Sequence, residues 1–256
     1  MRFIAALLLC LCTPFASATT ISTDFTDMWW IPAESGWGAN VIQQGDTLFV
    51  TLFVYGTNGQ ATWFVGPAAS YQGTVAGSQR FIGTLYQVTG PYFGAATFDK
   101  NAVSAREVGS ITFTAPQVAS ATLAYSVNGV NVTKEVVRQT WRTENLGGSF
   151  IGATLGDFTG CTTNGASEAV AAYVITQSGN TVVINESGSN YTCSYTGTLT
   201  QTGRMGSIAG SGTCSDLGAQ SFAATEVQAT LDSISMRADF RNGSCRFIGR
   251  MGGMRR

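Results

Sequence analysis

The sequence predicts an all-β chain of two up-and-down meander β-barrels, or barrel-like sandwiches, in tandem after a signal peptide. Three observations carry that expectation. The 256 residues include 31 glycines and only 11% charged residues; β-branched residues suit a pleated surface, and Gly supplies the positive φ of tight turns. Hairpin signals recur along the whole chain, while few stretches show the periodicity of a surface helix. The segment "TENLGGSF" divides the signals into two strand series of about eight each.

Residues 1–18, "MRFIAALLLCLCTPFASA", read as a targeting segment, with Arg2 as the basic start, Phe3 to Cys12 as the apolar run and Ala16-Ser17-Ala18 as the cleavage site. The apolar run is too short to span a bilayer. Cys10 follows Leu9 rather than the small residue that precedes a lipid-modified cysteine. No later apolar run is long enough to cross a membrane, so no transmembrane segment is expected. The expectation is export to the periplasm or the extracellular space.

Residues 19–142 form the first expected domain, rich in aromatics. Placing Asn58-Gly59 in a two-residue type I′ turn pairs Tyr55 with Thr62, Val54 with Trp63 and Phe53 with Phe64. One face then carries Leu48, Val50, Leu52, Val54, Trp63 and Val65. The other carries Phe49, Thr51, Phe53, Tyr55 and Phe64. A half-solvated strand alternates apolar with polar, so two greasy faces each call for a cover. For the face of Phe49, Phe53 and Phe64 the cover expected is another protein or domain. Asn128-Gly129 makes a second I′ turn, setting Tyr125 against Val132. A meander of this count closes most naturally into a barrel, which removes exposed edges.

Residues 143–148 are the expected linker and 149–256 the second domain, which holds Cys161, Cys193, Cys214 and Cys245. In an exported chain an even cysteine count means disulfides, with three possible pairings. If Gly203-Arg204 are the turn residues, Thr202 opposes Met205 and Cys193 opposes Cys214. That pair falls on a non-hydrogen-bonded position, where Cα atoms approach closely enough for a bridge. Cys161 then pairs with Cys245, stapling the first strand region to the last.

The stretch "WWIPAESGWG", Trp29 to Gly38, holds three of the five tryptophans. It reads either as a core corner, with Trp30 and Trp37 plugging a barrel end, or as a stacking platform for a glycan or an apolar ligand. The candidate binding set is Trp29, Trp30, Glu34, Trp37 and Tyr55, together with Tyr92 from the loop "GPYFGAATFD". Histidine is absent, which removes the Ser-His-Asp and Cys-His mechanisms and the commonest zinc ligand. Glu34, Asp46, Asp99, Glu107 and Glu168 offer carboxylates, but no spacing joins two of them convincingly. No metal site and no cofactor are expected. A net charge of −1 gives no electrostatic case for nucleic acid.

The stretch "WWIPAESGWGANVIQQGDTLFVTLFVYGTNGQATWFVGPA", with "FIGTLYQVTGPYF" and "ATLAYSVNGV", resembles a module of exported proteobacterial proteins marked by W-W-x-P-x-E-S-G-W-G, then G-D-x-x-F-x-x-x-F-x-Y and a G-x-x-x-W strand. The second half resembles the cysteine-containing tail that often follows that module. The resemblance implies compartment and organisation, and no catalytic residues. Ile31 stands where the signature commonly has Asn, which speaks against a polar role there. The expectation is a non-catalytic binding or cell-envelope-associated protein. A purely structural, protein-interaction module is the alternative, and a carboxylate-dependent hydrolase the second.

Overall fold

In the computed structural model, which describes residues 23–256, strands β1 (Asp27–Trp30), β2 (Gly38–Gln44), β3 (Thr47–Tyr55), β4 (Ala61–Val75), β5 (Ser78–Thr89), β6 (Ser104–Gln117), β7 (Ser120–Val127) and β8 (Val130–Arg138) close one antiparallel barrel. β1 closes it by pairing with both β2 and β8. Strands β9 (Gly148–Thr159), β10 (Gly165–Ser178), β11 (Thr181–Ser187), β12 (Thr192–Thr202), β13 (Met205–Cys214), β14 (Gly218–Ala229), β15 (Ser233–Asn242) and β16 (Cys245–Arg255) close a second, in which β9 pairs with β10 and β16. The tandem barrel architecture expected from the hairpin signals is therefore what the chain adopts. The targeting segment expected at residues 1–18 lies outside the described residues.

Each barrel has its own core. In the first, Phe25, Trp29, Phe81 and Phe113 meet edge to face inside the barrel, with Trp29 and Phe113 centroids 5.0 Å apart. In the second, strand β12 alternates buried with exposed residues along most of its length, so Cys193, Tyr195 and Leu199 point inward.

The Asn128-Gly129 turn has positive φ at both residues, and Tyr125 pairs with Val132. The Asn58-Gly59 register corrects the sequence reading by one residue: Tyr55 pairs with Ala61, Phe53 with Trp63 and Leu52 with Phe64. Gly56 N–H donates to Gln60 O, and Gly59 alone has positive φ, so the loop is Thr57-Asn58-Gly59 rather than a two-residue turn. A one-residue slip exchanges faces. Phe64 is therefore buried and Trp63 exposed, the reverse of the expected assignment.

The barrels meet at a salt-bridged junction. Asp27 at the start of β1 and Arg138 at the end of β8 sit at the near end of the first barrel, 3.1 Å apart. The Gly203-Arg204 turn of β12–β13 lies against them: Arg204 N–H donates to Asp27 Oδ2 at 2.7 Å, and Gly203 N–H to Thr140 Oγ1 at 2.8 Å. Because the strands alternate in direction, the other four turns of each barrel lie at its far end. The molecule thus has two distal poles. One is formed by the connections 31–37, 56–60, 90–103 and 128–129, and the other by 160–164, 188–191, 215–217 and 243–244.

Candidate functional site

The first distal pole carries most of the residues singled out in the sequence, and its polar groups are turned on each other. Pro32–Glu34 forms a 3₁₀ turn whose Glu34 N–H donates to Ile31 O. Glu34 Oε2 accepts the Trp37 indole N–H at 2.9 Å and the Lys134 ammonium at 2.7 Å, while Lys134 lies 5.6 Å from the Trp37 ring centroid. The Lys134 contact, with the Trp37 bond second, holds the Glu34 carboxyl below its ordinary range. Tyr55 OH donates to Gly36 O at 2.7 Å. Trp37 is half-buried against the barrel core and Trp30 is half-buried, pointing away from it.

Trp29 requires correction. Strand alternation sends it inward, where it is 0% exposed, donates its indole N–H to Phe25 O and stacks against Arg138, 4.9 Å away. It is a core plug at the junction end and no part of a surface platform. Tyr92 is exposed but pairs with its neighbour Phe93, centroids 4.7 Å apart, and with nothing in the Trp37 cluster. Among the partner-facing residues, Phe49 and Phe53 are exposed and stand opposite Ile42 and Trp63, whereas Phe64 faces the core. The second barrel does not cover that stripe.

The second distal pole is built differently, because it is open. A mouth of about 640 Å³ leads to a chamber of about 150 Å³ inside the barrel. Cys161–Cys245 and Cys193–Cys214 both bridge this end. Ser215 N–H donates to Thr192 O beside the second bridge, so its cysteines occupy the non-hydrogen-bonded pair, with Cα atoms 4.0 Å apart. Stapling replaces the packing that an open end lacks.

The chamber wall is aromatic. Phe158 and Phe247 centroids lie 5.0 Å apart, and Phe240 stacks on Tyr195 at 4.9 Å. A Cβ at Gly156 or Gly249 would meet the Phe247 ring, so glycine at both positions seats it. Into this wall projects Glu186 from β11, 3% exposed. Its Oε1 accepts from Tyr191 OH at 2.8 Å and from Thr154 Oγ1 at 3.1 Å. Burial raises its pKa above the ordinary carboxyl value, against those two hydrogen bonds and with a smaller push from Asp216. Burial likewise raises Tyr191 and Tyr195, and takes Tyr173 up to about 12.

Asp216 and Gln220 border both mouth and chamber. Gln220 Nε2 lies 2.8 Å and Tyr195 OH 3.3 Å from Cys214 Sγ. The sulfurs of Cys193 and Cys214 and an Asp216 oxygen lie within 4.8 Å of one another. Both sulfurs are committed to the disulfide, and a metal needs the thiolate. The carboxylates considered from sequence are scattered, whereas Glu186 and Asp216, which the sequence reading passed over, share one chamber. The available signal was parity: Val182, Ile184 and Glu186 alternate in one phase, placing a carboxylate on the inward face.

No protein-family model and no curated protein sequence matches this chain. Among solved structures, the isotype 1 transferrin binding protein B from serogroup B Neisseria meningitidis aligns with a TM-score of 0.33 and 9% identity, over 86% of this chain and 51% of that one. The alignment thus spans about half the length of that protein, and no ligand for this chain follows from it.

Proposed function

We propose that the chain is an exported, non-catalytic, envelope-associated binding protein whose ligand enters the mouth of the second barrel. The observation that supports this reading is the contrast between the poles. One closes its polar groups on themselves, and the other is an aromatic cup with a buried carboxylate. Pockets that combine an apolar lining with a few placed polar groups are the usual form of a ligand site. Export is supported by the targeting segment read at residues 1–18 and by the two disulfides, which persist in oxidising compartments. The WWxPxESGWG stretch is then the structural signature of the first barrel.

Oxidative footprinting with a small-molecule and glycan screen tests this. Trp29 is expected to be protected, and ligands that raise the melting temperature are expected to shield Tyr191. Shielding at Trp37 and Tyr55 instead would return the site to the first barrel.

A second reading, a carboxylate-dependent hydrolase, is favoured by one fact: Glu186, with a raised pKa, and Asp216 line the same chamber. Aryl glycosides are expected to be inert. Turnover abolished in Glu186→Gln would make the chain an enzyme.

A further inference from the structure

The chamber holds an imbalance of charge. Glu186 is almost wholly buried, yet both of its hydrogen bonds fall on Oε1. Among the described residues, no cation or hydrogen donor is paired with Oε2. Neither the chamber nor the mouth is lined by Lys or Arg, although the chain has 14 of them. Asp216 at the rim adds a second negative group. A buried carboxylate without a counter-charge carries a desolvation penalty that protonation or a cation relieves. An anionic ligand would meet two carboxylates and no balancing charge. A neutral ligand would leave Glu186 uncompensated. Beside small and neutral residues such as Ser167, Ala169 and Gln220, the wall carries the rings of Phe158, Phe240, Phe247 and Tyr195, whose faces attract cations.

Size adds a bound. The inner chamber of about 150 Å³ matches a cavity that admits a benzene-sized body, with the mouth left for the rest of the molecule.

Resting on the reading of this mouth as the binding site, we infer that the ligand is a small organic cation: an ammonium group on a body about the size of a phenyl ring, with Glu186 as its counter-charge. The groups facing Glu186 are the hydroxyls of Tyr173, Tyr191 and Thr154, with Tyr195 and Asp216 nearby. Among these groups Asp216 is the one other acidic side chain, and none is a Lys or Arg. Binding deprotonates Glu186 where it was protonated, so affinity falls as the medium becomes acidic.

The test compares benzylammonium with benzyl alcohol, its neutral near-isostere, by calorimetry on the full exported chain, with amide NMR shifts at Glu186, Tyr191 and Gln220 to locate binding. The expected result is at least about tenfold tighter binding of the ammonium. In Glu186→Gln the ratio of ammonium to alcohol affinity is expected to shrink to within about twofold. Equal binding of both probes in the unmodified chain overturns the cation inference and leaves the binding cup standing. Absence of binding by both overturns the cup as well. If Glu186→Gln does not fold, a pH series decides: ammonium affinity must drop on acidification while alcohol affinity holds, and a flat ammonium series overturns the inference.

Discussion

Arg138 and Asp27 fasten the two barrels through a single carboxylate: Asp27 Oδ2 takes Arg138 Nη1 at 3.1 Å and the Arg204 N–H of the second barrel at 2.7 Å. The Arg138 side chain is fully buried; it also donates to the carbonyls of Val118, Thr26 and Asp24 and lies over Trp29. Removing one member of such a buried pair strands the other. Asp27→Asn is expected to destabilise the first barrel by about 3–5 kcal/mol. All five tryptophans precede residue 142, so urea unfolding followed by their fluorescence reads this barrel specifically. A loss below about 1 kcal/mol would mean that the carbonyls alone hold Arg138.

Gly203 has φ 59°, and a Cβ there would fall into the Asp27 carboxylate and the Arg138 side chain. Gly243 has the same φ in a hairpin with open space around it. Alanine at 243 measures backbone strain alone, while alanine at 203 adds the clash at the junction. Gly203→Ala is expected to be the more costly by at least about 1 kcal/mol and to separate the melting transitions of the two barrels. Equal effects in calorimetry would show that the junction yields freely.

The disulfides enclose different lengths of chain, 84 residues for Cys161–Cys245 and 21 for Cys193–Cys214. Loop-closure entropy assigns them roughly 4.5 and 3 kcal/mol. Replacing the first pair by serine is expected to lower the second barrel's stability more than replacing the second pair, with the tryptophan-reported transition little moved. The reverse order in urea denaturation would point to packing around Cys193–Cys214 as the larger contribution.

Two carboxyls give pH dependences of opposite sign. Hydrogen bonds from Arg246, then Arg241, hold Asp239 at about 2 against an ordinary 3.8. Its folded pKa is depressed, so its contribution is present above 3.8 and lost as pH falls towards 2. Glu186 is raised above 4.5. The folded state holds that proton more tightly, so stability is lost as pH climbs from 4.5 through the raised value. Melting curves should therefore show Asp239→Asn converging with the parent chain at low pH. Glu186→Gln should become increasingly the more stable as pH rises to neutrality. A gap for Glu186→Gln that is constant with pH would contradict the burial assigned to its carboxyl.

The β3–β4 register gives a direct side-chain test. Phe64 is 8% exposed and Trp63 is 47% exposed. Phe64→Ala is expected to cost about 3–5 kcal/mol, and Trp63→Ala less than about 1. The opposite ranking in denaturant titrations would restore the two-residue turn.

How far the sequence reaches is clear at three hairpins. Gly203-Arg204 and Asn128-Gly129 are two-residue turns, so counting outward from them gives the Cys193–Cys214 and Tyr125–Val132 pairs. Asn58-Gly59 has the same look, but Gln60 O bonds back to Gly56 and lengthens the loop, a choice that flanking-strand packing makes and a dipeptide does not record. The same limit governs the binding set. Trp29 and Trp30 are adjacent, and only the closure of β1 onto β8 decides which enters the core.

Local chemistry in the sequence determined strand count, strand order and the inward or outward phase of most side chains, because turns and period-two alternation act over a few residues. Tertiary structure alone decided which barrel end is filled and which is open. Alternation states the face on which a residue lies but not what stands across the barrel from it. The plug of Phe25, Trp29, Phe81 and Phe113, and the chamber around Glu186, are sums over strands far apart in the chain. Whether eight strands' side chains fill their common interior is a question of volume, and volume becomes defined only when the barrel closes.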